Sequence, residues 1–539
     1  MITIEEQQKE EILEIEKDIK RYIDDNTPEN YDKVLMEDHR WEVFYHLTVM
    51  RNSVLNWYDF KEGSNVLQIG GEFGAITGML CRKCGKVTLW EKSKFKAEAI
   101  ESRCREYNNL DIHVGRIETA KLKDQFDYII IIAALEETGE GKADKRVYAD
   151  FLRIILSFLN PDGKLLLGID NRYGLKYFCG APEPYTGVPY AGINKYPTGS
   201  KGYSFSRQEI IDILKMAGAP SLFFYYPLPD HRLTQLVYSE EYLPGRNLKE
   251  RLFFYYNNPE SLTAMEKGIY EDLIDNHVFE FFANSFLIEC SKGKSESKAV
   301  YAAVTTDRGE DDALATVIYE DNTVKKKPLY EKGEKRIKQV YENLMDIKAR
   351  GIKIVPHSIE GGSLKMPFVK YLMFSEYLKK VGESSPEEFE QRIEQLYQII
   401  LQSSEHVDPG LNRLLCKDKS LDFGIILKRA YIDMIPLNCF ISDGELIFFD
   451  QEFVQENYPA LYTLFRALKY IYLFDPQINK TVSLDYLKEK YHMQNLWDVF
   501  AEEENRFVAD NRKYEIYRNF YTWVWIDEAR VYKNGHKLL

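Results

Sequence analysis

Between about residue 64 and residue 240 the chain alternates short, strongly apolar runs with amphipathic stretches. The runs are VLQIG (66–70), KVTLWE (86–91), DIHVG (111–115), DYIIII (127–132) and GKLLLGI (163–169). Each is the length of a strand and rich in β-branched residues or leucine. The stretches between them, such as TGMLCRK and FKAEAIESRCREY, carry the helical period. Repeated strand–helix units imply a parallel sheet with helices on both faces, an α/β, Rossmann-like domain. No other feature narrows the possible folds as much.

Composition bounds the rest. At about 150 residues per domain, 539 residues call for two to four domains. A net charge of −14 argues against general affinity for nucleic acid, which needs Lys and Arg to neutralise phosphates. No apolar run approaches the ~18 residues of a membrane span. The charged N-terminus, MITIEEQQKEEILEIEKDIKRYIDD, has a helical pattern and is no signal peptide. A soluble, cytoplasmic protein is expected. The seven cysteines form no framework, and the pair Cys81–Cys84 lacks the second pair or nearby His of a zinc site. Reduced thiols on a helix are the simpler reading.

The expected organisation is a helical extension and cofactor lid over 1–50, a Rossmann-like domain over 51–245, a helical connector over 246–277 and a second domain over 278–539. The style changes near 278: FEFFANSFLIEC, AVYAAVTT and ALATVIYED read as strands of an antiparallel sheet, and amphipathic helices dominate after 330. A small β-rich lobe would thus precede a larger helical one.

VLQIGGEFGAITGML (66–80) is strand, glycine-rich turn, helix. Gly70 and Gly74 let the backbone turn sharply and approach a ligand, and the helix N-terminus offers free N–H groups. The next strand ends in Glu91, 17 residues after Gly74, where an acid can accept hydrogen bonds from both ribose hydroxyls of an adenosine cofactor. The spacing lacks GxGxxG, which weakens a dinucleotide reading. The stretch resembles motif I of class I S-adenosyl-L-methionine-dependent methyltransferases, and the resemblance spans about residues 40–240. It includes GRIE (115–118), DYIIIIAALEE (127–137) and NPDGKLLLGIDNRYG (160–174). It departs at Gln68, where the family has an acid, and at Glu72, in place of the middle glycine. The resemblance implies Gln68, Gly70 and Gly74 against the cofactor, Glu91 on the ribose, Arg116 and Ile117 near the adenine, and Ala133 at the end of the fourth strand. Tyr45 and Arg51, in WEVFYHLTVMRN (41–52), are candidates for a lid; a core Tyr and a surface Arg are the alternative. The acceptor side would be 171–196, with Arg172, Lys176 and several Tyr; a lid loop with core tyrosines is the alternative.

In IDMIPLNCFISDGELIFFDQE (432–452), Asp433 is followed five residues later by Asn438, and Asp450 lies 12 residues beyond Asn438 across an Asp-Gly turn. Kinase-type phosphoryl transfer uses this arrangement: one Asp orients the acceptor hydroxyl, and an Asn and a later Asp hold Mg2+ at the phosphates. The segment resembles the catalytic stretch of the protein-kinase-like fold, in its sugar- and small-molecule-kinase branch, over about 278–539. YID stands for HRD and DQE for DFG. Asp422-Phe423-Gly424 spells DFG but precedes the catalytic loop, so its order is wrong. Among the lysines of TVKKKPLYEKG (323–333), Lys326 shares the face of Val324 and is the candidate for the nucleotide phosphates. Glu342 on the following helix is its candidate partner, with exposed surface pairing as the alternative for each. MPFVKYL (366–372) is the candidate hinge, and Arg308 sits in the turn available to cover the phosphates.

Together the halves resemble the bifunctional methyltransferase–kinase that caps bacterial O-antigen polysaccharides, without its long C-terminal coiled coil. The resemblance implies phosphorylation of a terminal sugar hydroxyl and methylation of that phosphate, with S-adenosyl-L-methionine, ATP and Mg2+ as cofactors. The expected acceptor is a cell-surface glycan or a lipid-linked sugar precursor. A small-molecule methyltransferase with a regulatory pseudokinase, or a non-catalytic glycan-assembly scaffold, are the alternatives. Oligomeric state is open.

Overall fold

The computed structural model describes residues 2–4, 12–120, 122, 125–219, 221–256, 258–291, 298–414, 421–513 and 515–537. The chain divides into two compact units, Met1–Asp307 with Tyr514–Leu539, and Arg308–Lys513. Among the described residues no helix is long and apolar enough to cross a membrane.

The first unit contains strands β1 (Ile2–Ile4), β2 (Asn65–Ile69), β3 (Lys86–Glu91), β4 (Leu110–Val114), β5 (Phe126–Ile132), β6 (Leu159–Asp170), β7 (Ser221–Leu228), β8 (Leu236–Ser239), β9 (Ser285–Ser291) and β10 (Ala299–Val304). Their order is β1-β4-β3-β2-β5-β6-β9-β7-β8-β10, and every pairing from β1 to β6 is parallel. The strand–helix units β2 to β6 therefore lie in the order third, second, first, fourth, fifth. This is a doubly wound sheet whose order reverses between β2 and β5. A crevice opens at such a reversal, outside the carboxyl ends of the strands, and ligands bind there.

Three boundaries differ from the sequence expectation. The run FEFFANSFLIEC does not begin the second domain: β9 lies antiparallel between β6 and β7, inside the first sheet. All its residues are buried, and a continuous apolar run marks an inner strand without saying which sheet it enters. The chain end also belongs to the first unit, where Trp523 packs edge-on to Trp41 at 5.2 Å and Phe520 stacks on Phe44 at 5.6 Å. At the other end, Ile2–Ile4 form a strand beside β4, and the N-terminal helix runs over Glu14–Asp25, packed through Ile19 and Ile23. Residues 5–11, expected to be helical, lie outside the described residues.

The second unit opens with an antiparallel sheet of β11 (Leu314–Tyr319), β12 (Thr323–Pro328), β13 (Ser358–Glu360) and β14 (Ser363–Pro367), in the order β11-β12-β14-β13. The helix Glu334–Ala349 covers it, packing Ile337, Val340 and Leu344 against Leu314 and Leu364. After β15 (Leu372–Met373) the unit is mainly helical, with Phe374–Ser384, Pro386–Gln402, Ala460–Phe474 and Trp497–Asn511 around one apolar core. Two small sheets are set into it: β16 (His406–Val407) and β17 (Ile426–Tyr431) with β20 (Val454–Pro459), and β18 (Cys439–Ser442) and β19 (Glu445–Phe448) beside β15. The β18–β19 hairpin turns through Asp443 (φ 51°) and Gly444 (φ 78°), the positive-φ pair that matches the twist of the flanking strands.

Candidate functional site

In the first unit the turn after β2 is held by the strand beside it. Gly70 has φ 73°, and a Cβ there would stand 2.9 Å from the Ala134 side chain, so only glycine fits. The Gly71 N–H donates to one Glu91 oxygen at 2.8 Å, and the Ser93 N–H to the other at 3.1 Å. Burial raises the Glu91 carboxyl. Glu91 thus braces the glycine turn and keeps lone pairs on both oxygens for a ligand's hydroxyls. Gly74, at φ 76°, closes the turn with its N–H on the Gly71 carbonyl at 2.8 Å.

The two departures from the methyltransferase pattern have different surroundings. Gln68 donates to the Gly70 carbonyl at 3.4 Å, and its own buried carbonyl oxygen has no partner among the described residues. Glu72 brings no unpaired charge, because its carboxylate meets Arg51 at 3.2 Å. Arg51 is buried, and its guanidinium lies 4.0 Å over the Tyr45 ring. The separate sequence candidates Tyr45 and Arg51 therefore join Glu72 in one cluster. Burial holds the neighbouring His46 at about 3. Ile117 is buried in the turn after β4, and Arg116 is exposed beside Glu118 at 3.3 Å. Ala133, the residue after β5, is in the left-handed region at φ 54°, with its N–H on the Gly168 carbonyl at 2.8 Å.

Beyond the ends of β5, β6 and β7 lies a polar group that sequence reasoning passed over. Asp170 receives both Arg232 guanidinium nitrogens, at 2.7 Å and 2.5 Å, and the Tyr177 hydroxyl at 2.9 Å. Asp230 takes the Lys176 ammonium at 2.7 Å and the Tyr255 hydroxyl at 2.6 Å. The Asp170 N–H donates to one Glu136 oxygen at 3.0 Å, while the other has no hydrogen-bond partner among the described residues. Burial, with the Asp170 charge adding, pushes Glu136 up to about 8. His231 is fully buried, neither ring nitrogen has a hydrogen-bond partner among the described residues, and burial lowers it to about 3. The available sequence signal was the run PLPDHRLTQL (227–236), which sets Asp, His and Arg between two apolar strands. Of the acceptor-side candidates, Lys176 enters this group. Arg172 does not: it is buried against Tyr203 and Glu209, at the N-terminus of the helix Arg207–Ala217.

In the second unit Lys326, on β12, reaches the segment after β19. Its ammonium contacts both Asp450 and Glu452. The Glu452 carboxylate also binds Arg308. Burial pushes Glu452 up, but the two cations outweigh it and take it down to about 2. Burial raises Asp450, whose backbone is left-handed at φ 54°. Glu342 is not the partner of Lys326. It is exposed, because the buried face of its helix is Ile337, Val340, Leu344 and Ile347, a three-and-four spacing that excludes position 342.

Asp433 is buried, and both its oxygens are engaged. One accepts the Glu452 and Phe453 N–H groups at 3.1 Å and 2.9 Å, and the other accepts Arg466 at 3.0 Å. Arg466 is itself held by Glu504 at 2.8 Å. Asn438 donates to the Asp433 carbonyl at 3.2 Å, so its side-chain oxygen is the atom of the amide that could face a cation. Among the described residues no group of three or more His, Cys, Asp or Glu is arranged to hold a metal. The donors at Asn438 and Asp450 are hard oxygens, which suit Mg2+ when a nucleotide's phosphates complete the shell. Cys81 and Cys84 are buried free thiols.

No protein-family model matches the chain, and no curated protein matches it. Solved structures give partial overlaps with the chain. A protein assigned by inference as an O-methyltransferase, from Nostoc punctiforme PCC 73102, is 13% identical with a TM-score of 0.26, covering 33% of this chain and 52% of its own. The O-methyltransferase family 2 protein of Planctomyces limnophilus DSM 3776, solved with apigenin, is 12% identical with a TM-score of 0.26, covering 46% of this chain and 58% of its own. The [4+2]-cyclase SpnF is 15% identical with a TM-score of 0.28, covering 46% of this chain and 80% of its own. The chain thus spans between half and three-fifths of the length of the first two. The fold of the first unit rests on its own strand order.

Proposed function

We propose that the first unit is a methyltransferase using S-adenosyl-L-methionine and that the second is an ATP-dependent kinase, the pair modifying a glycan or lipid-linked sugar. The observation that carries the first reading is the Gly70–Gly74 turn, braced by Glu91 beside the reversal of strand order. There the residues would hold the nucleoside: Glu91 through the ribose hydroxyls, Ile117 as an apolar wall, and the Gly70–Gly71 backbone in close approach. The bound cofactor would supply an electrophilic methyl group on sulfonium sulfur. The chain's task is then to orient an acceptor oxygen in line with it. Lys176 and Arg232, fixed by Asp230 and Asp170, suit an acceptor bearing phosphate or several hydroxyls.

The kinase reading is supported by the meeting of Lys326 with Asp450 behind an antiparallel sheet and helix. Lys326 would bind nucleotide phosphates, and Asn438 and Asp450 would hold the magnesium between them. One observation favours a second reading, a regulatory nucleotide-binding unit without transfer. One Asp433 oxygen is filled by the Glu452 and Phe453 N–H groups and the other already accepts Arg466, so a single lone pair beside a guanidinium is left to orient a hydroxyl.

Calorimetry separates these readings. Titration with S-adenosyl-L-methionine and, independently, with Mg-ATP should give one site for each. No heat with the former overturns the methyltransferase reading, and no heat with the latter overturns the kinase. Binding of Mg-ATP without phosphate transfer to any sugar acceptor would favour the regulatory unit.

A further inference from the structure

A buried ammonium needs an acid beside it, since an unpaired charge in the interior costs several kcal/mol. Lys326 is only 5% exposed, and the helix Glu334–Ala349 offers it none, as Glu342 faces away. That helix does reach the 450–452 segment, but through backbone contacts. Asn343 donates to the Gln451 carbonyl at 2.9 Å, and Arg336 to the Glu452 carbonyl at 3.2 Å. Arg429 fixes the Asn343 oxygen at 3.0 Å and the Asp346 carboxylate at 2.7 Å. The helix is therefore fastened to the 450–452 segment, and none of its acids is directed at the lysine.

We propose that Glu452 is the positioning residue of Lys326, taking the part that an acid on the helix plays in protein kinases. This deepens the kinase reading and rests on it. Kinase-type sites need the nucleotide lysine held by an ion pair. Here two acids meet the ammonium, and they differ in what else they do. Asp450 sits on the left-handed residue that would turn to magnesium when nucleotide binds. Glu452 is buried, is gripped by Arg308, and its backbone N–H is anchored on Asp433. When Asp450 engages the metal, Glu452 keeps the ammonium paired and aimed at the phosphates. The third position of DQE is thus a site residue in its own right.

The experiment compares Mg-ATP and adenosine binding to the full chain by calorimetry. In the wild type Mg-ATP binds. Glu452→Gln weakens Mg-ATP about tenfold or more, the scale of a lost charge-assisted contact, and leaves adenosine within about twofold. Glu342→Gln changes neither. In a double-mutant cycle with Lys326→Met, the second substitution adds little to the first. Glu452→Asp, which keeps the charge, falls between Gln and wild type and serves if Glu452→Gln fails to fold. Unchanged Mg-ATP affinity in Glu452→Gln, an equal loss in Glu342→Gln, or a parallel loss of adenosine overturns the role of Glu452 while the kinase reading stands. Absence of Mg-ATP binding in the wild type removes the reading and the proposal together.

Discussion

Both oxygens of the Asp170 carboxylate face the guanidinium of Arg232, at 2.7 Å and 2.5 Å, where Asp170 has no exposed surface. A buried acid is tolerable only when so paired. Arg232→Met should cost about 3 kcal/mol, because it leaves the buried Asp170 charge with only the Tyr177 hydroxyl and the more distant Lys176 ammonium at 3.8 Å. Urea unfolding followed by tryptophan fluorescence would read this. Burial opposes the charged form of Asp170, but Arg232 outweighs it and holds the carboxyl well below its usual range. The contribution is therefore full above the unfolded value of about 4 and is lost as pH falls below it.

Glu136 has the opposite sign. Its folded value of about 8 lies above the ordinary carboxylate value. Between about pH 4.5 and 8 the native state holds a proton that the unfolded state has lost, so stability declines as pH rises. Glu136→Gln removes that dependence. It should be more stable than wild type at pH 8, by on the order of a few kcal/mol, and similar to it at pH 4.5. Melting temperatures across that range would show curves that converge at the acid end.

At Gly70 a side chain meets two obstacles, the positive φ and the Ala134 methyl. Gly70→Ala should lower stability by about 1–2 kcal/mol and weaken binding of S-adenosyl-L-homocysteine about tenfold. Glu91→Ala should weaken it further, since the acceptor for Gly71 and Ser93 is lost together with the proposed ribose contact. Calorimetry measures both, and unchanged affinity in Glu91→Ala would refute the ribose assignment.

Asp450→Asn tests the proposed metal role with the backbone intact, because Asn tolerates the left-handed region that Asp450 occupies at φ 54°. Loss of the charge should abolish Mg-dependent nucleotide binding, while adenosine binding without metal persists. Equal nucleotide affinity with Mg2+ and with EDTA in the wild type would argue that Asp450 holds no metal.

The strand–helix alternation of 64–240 was legible because each run is local and the two periods differ. The turn at Gly70 and the acid at Glu91 were legible for the same reason, as spacings within one chain segment. The partner of Lys326 was not. Glu342 and Glu452 are both acids near the right elements in sequence, and only the rotation of the helix sends one to solvent while the segment between β19 and β20 carries the other inward. Nor were Asp170, Asp230, His231 and Arg232 legible as a group, since they lie at two separate strand ends that the sheet order brings together.

Sequence alone determined the local pieces: a doubly wound parallel core, a glycine turn, a hairpin closed by Asp-Gly, and the polar residues at its ends. These follow from side-chain period and backbone stereochemistry, which act over a few residues. Tertiary structure decided which sheet received Ser285–Ser291, where the chain end packed, and which buried charges were paired. Those outcomes depend on burying apolar faces and on matching every interior charge with a partner, and the partners lie as far apart in sequence as Lys326 and Glu452.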